Sequence, residues 1–208
     1  MNVAPVSRAL DFGERPVPAG GIFETIGVTD GVVRLLAAHL ERLRGSAREL
    51  YGADVTPLPT DGPAELPAGA GRLRITFVPG HRAQIEYGPR PPDPVYDVIA
   101  PFVLPGGLGP HKWADRTLLD AITAAAGPDA LPLLLDEDAS VLEATGANVL
   151  IEERGRLVSP PDDGRALPGI GRSSLQYDEE PVDLARLLAA DAVVLTSALR
   201  VIRVPLAT

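Results

Sequence analysis

Turn-forming residues divide this chain into short segments. Its 208 residues include 21 glycines and 22 prolines, with dense clusters at 55–71, 88–94 and 101–110. Glycine allows backbone angles that other residues avoid and proline removes a backbone donor, so such clusters predict loops rather than the interiors of helices or strands. We therefore expect short strands and a few helices, with a mobile surface loop at 55–71 and a domain boundary within 101–110.

Hydrophobic spacing predicts a small α/β arrangement before this boundary. Residues 21–28 are typical of a strand, and Asp30-Gly31 is a strong hairpin turn before residues 32–35. Two further strands are predicted at 72–77 and 82–87. Between the hairpin and these two strands, apolar residues at spacings of three and four predict one helix of about four turns. Its apolar stripe is Leu36, Leu40, Leu43, Ala47 and Leu50.

The second half is predicted to be mostly β. Asp115 is a candidate cap for a helix that continues to Ala125 and stops at Gly127-Pro128, and a short helix is predicted at 183–190. Short apolar runs separated by Asp/Gly turns predict strands at 131–135, 141–142, 148–152, 156–158 and 192–195. The prediction is an α+β chain of two domains, a small N-terminal α/β domain (1–104) and a C-terminal mostly β domain (105–208).

Composition excludes several classes of function. The chain has no cysteine and three scattered histidines, so we predict no metal site. A net charge of −9 argues against a nucleic-acid partner, because phosphate backbones are bound by clustered basic side chains. No stretch approaches the ~18 to 20 apolar residues that a membrane span needs. The N-terminus lacks the basic start and apolar block of a secretory signal, so we expect a cytoplasmic protein.

A single lysine is the most informative residue. The chain contains eighteen arginines, but Lys112 is the one lysine, in the run Gly109-Pro110-His111-Lys112-Trp113. Arginine cannot lose its proton to attack a carbonyl, whereas lysine can. Composition alone leaves two interpretations open, a reactive amine or a surface lysine that happened to survive.

Several motifs in order resemble the class IV (fold type IV) pyridoxal-phosphate aminotransferases. The N-terminal ones are Gly21-Ile22-Phe23-Glu24-Thr25 and His39-Leu40-Glu41-Arg42-Leu43, followed by the lysine run. The C-terminal ones are Val141-Leu142-Glu143-Ala144-Thr145-Gly146-Ala147-Asn148, Leu167-Pro168-Gly169-Ile170 and Val194-Leu195-Thr196-Ser197. Within the family, the chain is most similar to the 4-amino-4-deoxychorismate lyases.

The resemblance implies a pyridoxal 5′-phosphate (PLP) site. Lys112 is implied to bond covalently to the cofactor and to move protons, while Glu143 faces the ring nitrogen and Arg42 holds the phosphate. Further cofactor contacts are implied for Asn148, Ile170, Gly171, Ser197 and Ala198, and substrate contacts for Arg74, His81 and Arg82. Taken without the neighbouring His39-Leu40 and Ser46-Ala47, Arg42 is typical of a solvated helix face, and Gly171 could equally form a tight turn.

The resemblance also implies an activity. The sequence Lys112-Trp113-Ala114-Asp115-Arg116 is closer to the lyase pattern than to the transaminase pattern, which places a tyrosine about five residues after the lysine. The expected activity releases pyruvate and leaves 4-aminobenzoate, a step of folate biosynthesis, in a homodimer acting on a small amino substrate. An aminotransferase of branched-chain or D-amino acid type remains an alternative. The short segment after Arg172, where relatives insert a helix, keeps open a degenerate, non-catalytic member.

Overall fold

A computed structural model describes residues 1–55 and 69–206. Over these residues the chain forms three α-helices, Leu36–Tyr51 (α1), Thr117–Ala126 (α2) and Leu184–Leu188 (α3). The strands, in chain order, are Asn2–Val3 (β1), Ser7–Arg8 (β2), Ile22–Thr29 (β3), Val32–Val33 (β4), Ala70–Phe77 (β5), Gln84–Pro89 (β6), Val98–Val103 (β7), Ala130–Leu135 (β8), Val141–Ala144 (β9), Asn148–Glu153 (β10), Arg156–Ser159 (β11), Asp178–Glu179 (β12), Ala192–Thr196 (β13) and Val201–Pro205 (β14). This combination of sheets with few helices confirms the α+β class.

The chain divides into two compact units. The larger unit comprises Met1–Arg15, Asp93–Pro110 and Arg116–Thr208, and the smaller unit comprises Pro16–Pro92 and His111–Asp115. The domain division between residues 104 and 105 stays a prediction. Most of the loop predicted at 55–71 lies outside the described residues, but its last residues form the start of β5.

One antiparallel sheet and one helix build the smaller unit. The strand order is β4-β3-β5-β6, and β3 pairs with β5 along its whole length, from Ile22 opposite Phe77 to Thr29 opposite Ala70. Because side chains alternate along a strand, every second residue of β3 faces α1. The predicted helical stripe is confirmed, since Leu40, Leu43 and Ala47 are buried against this face.

A mixed sheet in the larger unit has the order β1-β7-β8-β9, with β2 also paired to β7. Strands β7 and β8 are parallel, and α2 provides the long connection that parallel neighbours require. The predicted cap of α2 is wrong: the capping position is Arg116, with no side-chain cap hydrogen bond, so Asp115 lies one residue too early.

A second sheet of the larger unit has the order β12-β11-β10-β13-β14. Its central strands β10 and β13 are antiparallel, with Asn148 opposite Thr196. Alternate residues of these strands, such as Val149 and Leu195, are buried in a shared apolar core with residues of β8 and β9. Of the chain within 1–55 and 69–206, no helix is both long and apolar enough to cross a membrane.

Candidate functional site

Lys112 belongs to a short segment whose backbone is bonded to β3. The carbonyl oxygen of Lys112 accepts a hydrogen bond from the Phe23 N–H at 2.9 Å, and the Ala114 N–H donates to the Gly21 carbonyl oxygen at 2.9 Å. Trp113 forms an isolated antiparallel bridge with Ile22 between these two bonds. The lysine therefore sits on a fixed backbone, which gives its side chain a defined origin.

The Phe23 ring brings two predicted site residues together. Lys112 Nζ lies 4.9 Å from the ring centroid, and the guanidinium carbon of Arg74 lies 4.5 Å from it. Both distances are within the range of cation–π attraction. Phe23 and Arg74 lie on the face of the sheet opposite to α1, because Ile22 and Leu73, their neighbours along β3 and β5, point into the core. No role for Phe23 was predicted.

His111 connects the lysine segment to α1. Its side chain is largely buried, its Nδ1 is 3.1 Å from the Ser46 hydroxyl, and its ring packs edge-on against Trp113 at 5.5 Å between centroids. Its Nε2 lies 3.6 Å from a carboxylate oxygen of Glu49. These contacts add a side-chain anchor beside Lys112 to the two backbone bonds.

Arg42 is held by a buried carboxylate. Glu24 is 1% exposed and accepts two hydrogen bonds from Arg42, Nε to Oε1 at 2.7 Å and Nη2 to Oε2 at 2.8 Å. His39 Nδ1 lies 2.7 Å from Oε2 of the same carboxylate. The alternative of a solvated helix face for Arg42 is wrong, because its side chain is only 13% exposed and is paired with the sheet.

The protonation state of Glu24 follows from these contacts. Burial raises the pKa of Glu24, but the hydrogen bonds from His39 and Arg42 outweigh burial and hold the pKa below its ordinary value. Glu24 is therefore ionised at neutral pH. A carboxylate only accepts hydrogen bonds, so His39 must carry its proton on Nδ1.

The other two predicted substrate residues belong to the turn that follows β5. His81 and Arg82 are both exposed, in the turn between β5 and β6, where the His81 N–H donates to the Val78 carbonyl at 3.0 Å. Neither shares a described contact with Phe23 or Arg42, so their substrate role stays a prediction.

In the larger unit, Asn148 connects two of the predicted motifs. It is buried at the start of β10, and its Nδ2 donates to the Leu167 carbonyl at 2.7 Å. Its Oδ1 lies so close to Gly169 that a β-carbon at position 169 would overlap it. Glu143 is half-buried on β9, opposite Leu134.

The two segments predicted to contact the cofactor's phosphate, 170–171 and 197–198, are packed against each other. Residues Ile170–Ser174 form a single 3-10 turn, and a β-carbon on Gly171 would lie 2.6 Å from the carbonyl oxygen of Ser197. Glycine at 171 thus lets this turn approach the loop after β13. The Ser197 N–H already donates to the Arg200 carbonyl at 2.9 Å, and Ala198 follows in the same half-buried turn.

Two buried polar atoms of the larger unit lack a hydrogen-bond partner within the described part of the chain. They are Thr196 Oγ1, in the strand that leads to Ser197, and Arg172 Nε, in the 3-10 turn. Buried polar groups are normally satisfied by protein, water or ligand, so these atoms fit a unit that binds a polar molecule. Neither residue was predicted, although both are adjacent in sequence to predicted ones.

Comparison with known proteins finds structures with a similar fold. Residues 111–205 match the model of the family described as amino-transferase class IV. The structure is similar to that of a candidate 4-amino-4-deoxychorismate lyase from Legionella pneumophila, at 22% identity and a TM-score of 0.74, covering 98% of this chain and 90% of that one. A hypothetical aminotransferase from Mycobacterium tuberculosis in a PLP-bound form gives 24% identity and a TM-score of 0.74, with 90% and 81% covered.

A third similar structure is a candidate amino-acid aminotransferase from Mesorhizobium loti. It is 26% identical with a TM-score of 0.71, and the match covers 88% of this chain and 97% of that one. No curated protein matches the chain. The chain thus has the fold of the class IV aminotransferases, and its C-terminal half carries their sequence pattern, which confirms the predicted resemblance and fold type.

Proposed function

We propose that this protein is a PLP-dependent lyase that converts 4-amino-4-deoxychorismate to 4-aminobenzoate and pyruvate. The observation that carries the proposal is the placement of Lys112. The one lysine side chain of the sequence extends from a backbone whose own carbonyl oxygen accepts a hydrogen bond from Phe23 of β3, and its Nζ lies over the Phe23 ring. A cofactor with an aldehyde requires such a fixed amine.

In this proposal, Lys112, Glu143 and Arg42 have the roles that the resemblance implies. PLP, when bound, supplies an electron sink for the substrate's amino carbon. Lys112 would hold the cofactor through its amine; when the substrate's amino group replaces it there, the freed amine would take the proton from the amino-bearing ring carbon and pass a proton to the departing three-carbon fragment, which leaves as pyruvate. Glu143 keeps the cofactor's ring nitrogen protonated. Arg42 holds the phosphate with a guanidinium that Glu24 already orients.

Backbone groups complete the phosphate contacts in this proposal. The N–H groups of Ile170 and Gly171 are assigned to the phosphate, and so is the loop at Ser197 and Ala198. The close packing of Gly171 on Ser197 supports the assignment, because it places both segments within reach of one anion. Asn148 supports the same region through its bond to Leu167.

An anionic substrate fits the cations beside Lys112. Arg74 shares the Phe23 ring with Lys112, so a substrate carboxylate near Arg74 would be held next to the reactive amine. His81 and Arg82 are assigned to the outer part of the substrate. Aminodeoxychorismate carries carboxylates that such groups bind, and aromatisation of its ring provides much of the driving force.

The decisive experiment follows the covalent bond and the product together. Protein incubated with PLP is reduced with borohydride and mapped by mass spectrometry, and pyruvate release from aminodeoxychorismate is followed in a coupled assay. We expect the adduct on Lys112 and loss of both adduct and turnover in Lys112→Ala. Turnover that survives Lys112→Ala, or wild-type protein without an adduct, would contradict the proposal.

The matching family model also supports a second candidate, an aminotransferase. In that case an amino acid would convert the bound cofactor to its amine form, with 2-oxoglutarate or pyruvate as acceptor, and aminodeoxychorismate would yield no pyruvate. A ligand that binds the native state raises the free energy of unfolding, by roughly 2.7 kcal/mol at 100 times its Kd. A degenerate member that does not bind PLP would therefore show a melting temperature independent of PLP.

Assembly and location belong to the same proposal. We infer a cytoplasmic homodimer acting in folate biosynthesis, by resemblance to the family. Light scattering coupled to size-exclusion chromatography tests the dimer directly, since a monomeric mass at micromolar concentration contradicts it.

A further inference from the structure

Glu24 occupies a position that an apolar side chain would normally fill. It lies on the core face of β3 between Ile22 and Ile26, all three of which are at most 1% exposed. Removing a carboxylate from water carries a large free-energy penalty, which only well-formed charged hydrogen bonds offset. The hydrogen bonds that Glu24 accepts must therefore offset the cost of burying its charge.

Its partners come from one face of α1. His39 and Arg42 are three residues apart, so they are neighbours on the helix surface, and both point at Glu24. The carboxylate receives three hydrogen bonds of 2.7 to 2.8 Å, two from Arg42 and one from His39. All three are within the short range of charge-assisted bonds.

This geometry determines the orientation of the guanidinium. The bonds from Nε and Nη2 reach the two different oxygens of Glu24, so they form a bidentate pair that restricts the orientation of the guanidinium. An arginine side chain otherwise loses rotamer entropy when a ligand orders it. In this chain that ordering has already occurred before any ligand binds.

We propose that Glu24 is a positioning residue that presents the Arg42 guanidinium to the cofactor's phosphate, and that His39 in turn holds Glu24. This inference rests on the proposed function, because it takes Arg42 as the phosphate ligand. It assigns a role to two residues that make the site selective for the phosphorylated cofactor.

Glu24 has two opposing effects on a phosphate. Its negative charge repels the phosphate, because like charges in a partly buried site are poorly screened. Its geometry favours the phosphate by orienting Arg42. Glu24→Asp separates the two effects, because aspartate retains the charge but is shorter by one methylene and cannot reach Arg42 and His39 together.

The experiment compares two forms of the cofactor that differ only in phosphate. PLP and pyridoxal offer the same aldehyde to Lys112, so the ratio of their Kd values, from absorbance titration, measures the phosphate contribution. We expect Glu24→Asp to reduce this preference for PLP about tenfold while the Kd of pyridoxal is unchanged. Glu41→Asp, the same substitution at an exposed site on α1, is the matched control and should leave the ratio unchanged.

His39→Ala provides a second test that leaves Glu24 in place. It removes one of the three donors, and we expect a roughly threefold reduction in the preference for PLP, which keeps the inference testable if Glu24→Asp does not fold. A wild-type preference that both variants retain would overturn the role of Glu24 alone. Wild-type protein that binds neither compound would overturn the proposed function and this inference together.

Discussion

Asp136 is predicted to stabilise the fold in a way that depends on pH. It directly follows β8 and accepts hydrogen bonds from the Gly106 N–H at 2.9 Å, the Arg165 guanidinium at 2.8 Å and the Glu137 N–H at 2.8 Å. These donors lower the pKa of Asp136 from 3.8 to about 2, with the Gly106 backbone bond as the largest cause. The carboxylate thereby holds the Gly-rich loop that precedes His111.

The size of the effect follows from the pKa. A change from 3.8 to about 2 corresponds to roughly 2.4 kcal/mol at 1.36 kcal/mol per unit. Arg165 is 32% exposed, so solvent screens the pair and about 1 kcal/mol is the expected net contribution. Because the folded-state pKa is the lower one, this stability is fully present well above pH 3.8 and is lost as the pH falls towards 2.

The test is urea denaturation of wild type and Asp136→Asn between pH 7 and pH 3. The variant should be less stable by about 1 kcal/mol from pH 7 to pH 5, and the larger part of this difference should disappear by about pH 3. Glu41→Gln, at an exposed position on α1, should not differ from wild type at pH 7. A difference that is constant with pH, or that grows towards pH 3, would refute the reasoning.

One strand shows why part of the fold could not be predicted. Residues 98–103 form β7, in the middle of a sheet. The sequence predicted a loop and a domain boundary from residue 101 onwards, because a proline such as Pro101 is rare within a central strand. The Ile99 carbonyl accepts from the Ala4 N–H, so Ile99 and Pro101 direct their backbone towards the edge of β1 and β2. Strand β1 ends opposite Ile99 and β2 begins opposite Phe102, so the proline faces the gap between them.

Local patterns predicted the elements better than the contacts between them. The stripe of α1 was sufficient to place that helix, because its spacing alone defines the buried face. The pairing of Glu24 with Arg42 depends on how α1 packs on the sheet, and 18 residues of sequence separate the two. One signal was available, since an acid between Ile22 and Ile26 interrupts an otherwise apolar strand face.

Two glycines give opposite predictions for the same substitution. Gly45 lies in the middle of α1, and a β-carbon added to it would meet no atom within 4 Å, so Gly45→Ala should raise the free energy of unfolding by ~0.5–1 kcal/mol and the melting temperature by a few degrees; an unchanged melting temperature would contradict this. Gly171→Ala should lower the free energy of unfolding by ~1–3 kcal/mol, as overpacking does. Its β-carbon would lie 2.6 Å from the Ser197 oxygen, whereas ordinary contacts begin at 3.4 Å, so the turn has to move by about 0.8 Å. Gly146→Ala, with no atom within 4 Å of its β-carbon, is the matched control. If the segment also binds phosphate, Gly171→Ala must weaken the binding of PLP more than that of pyridoxal, because the displaced groups are the backbone donors. Equal stability of Gly171→Ala and Gly146→Ala would show that the turn does not depend on this close approach.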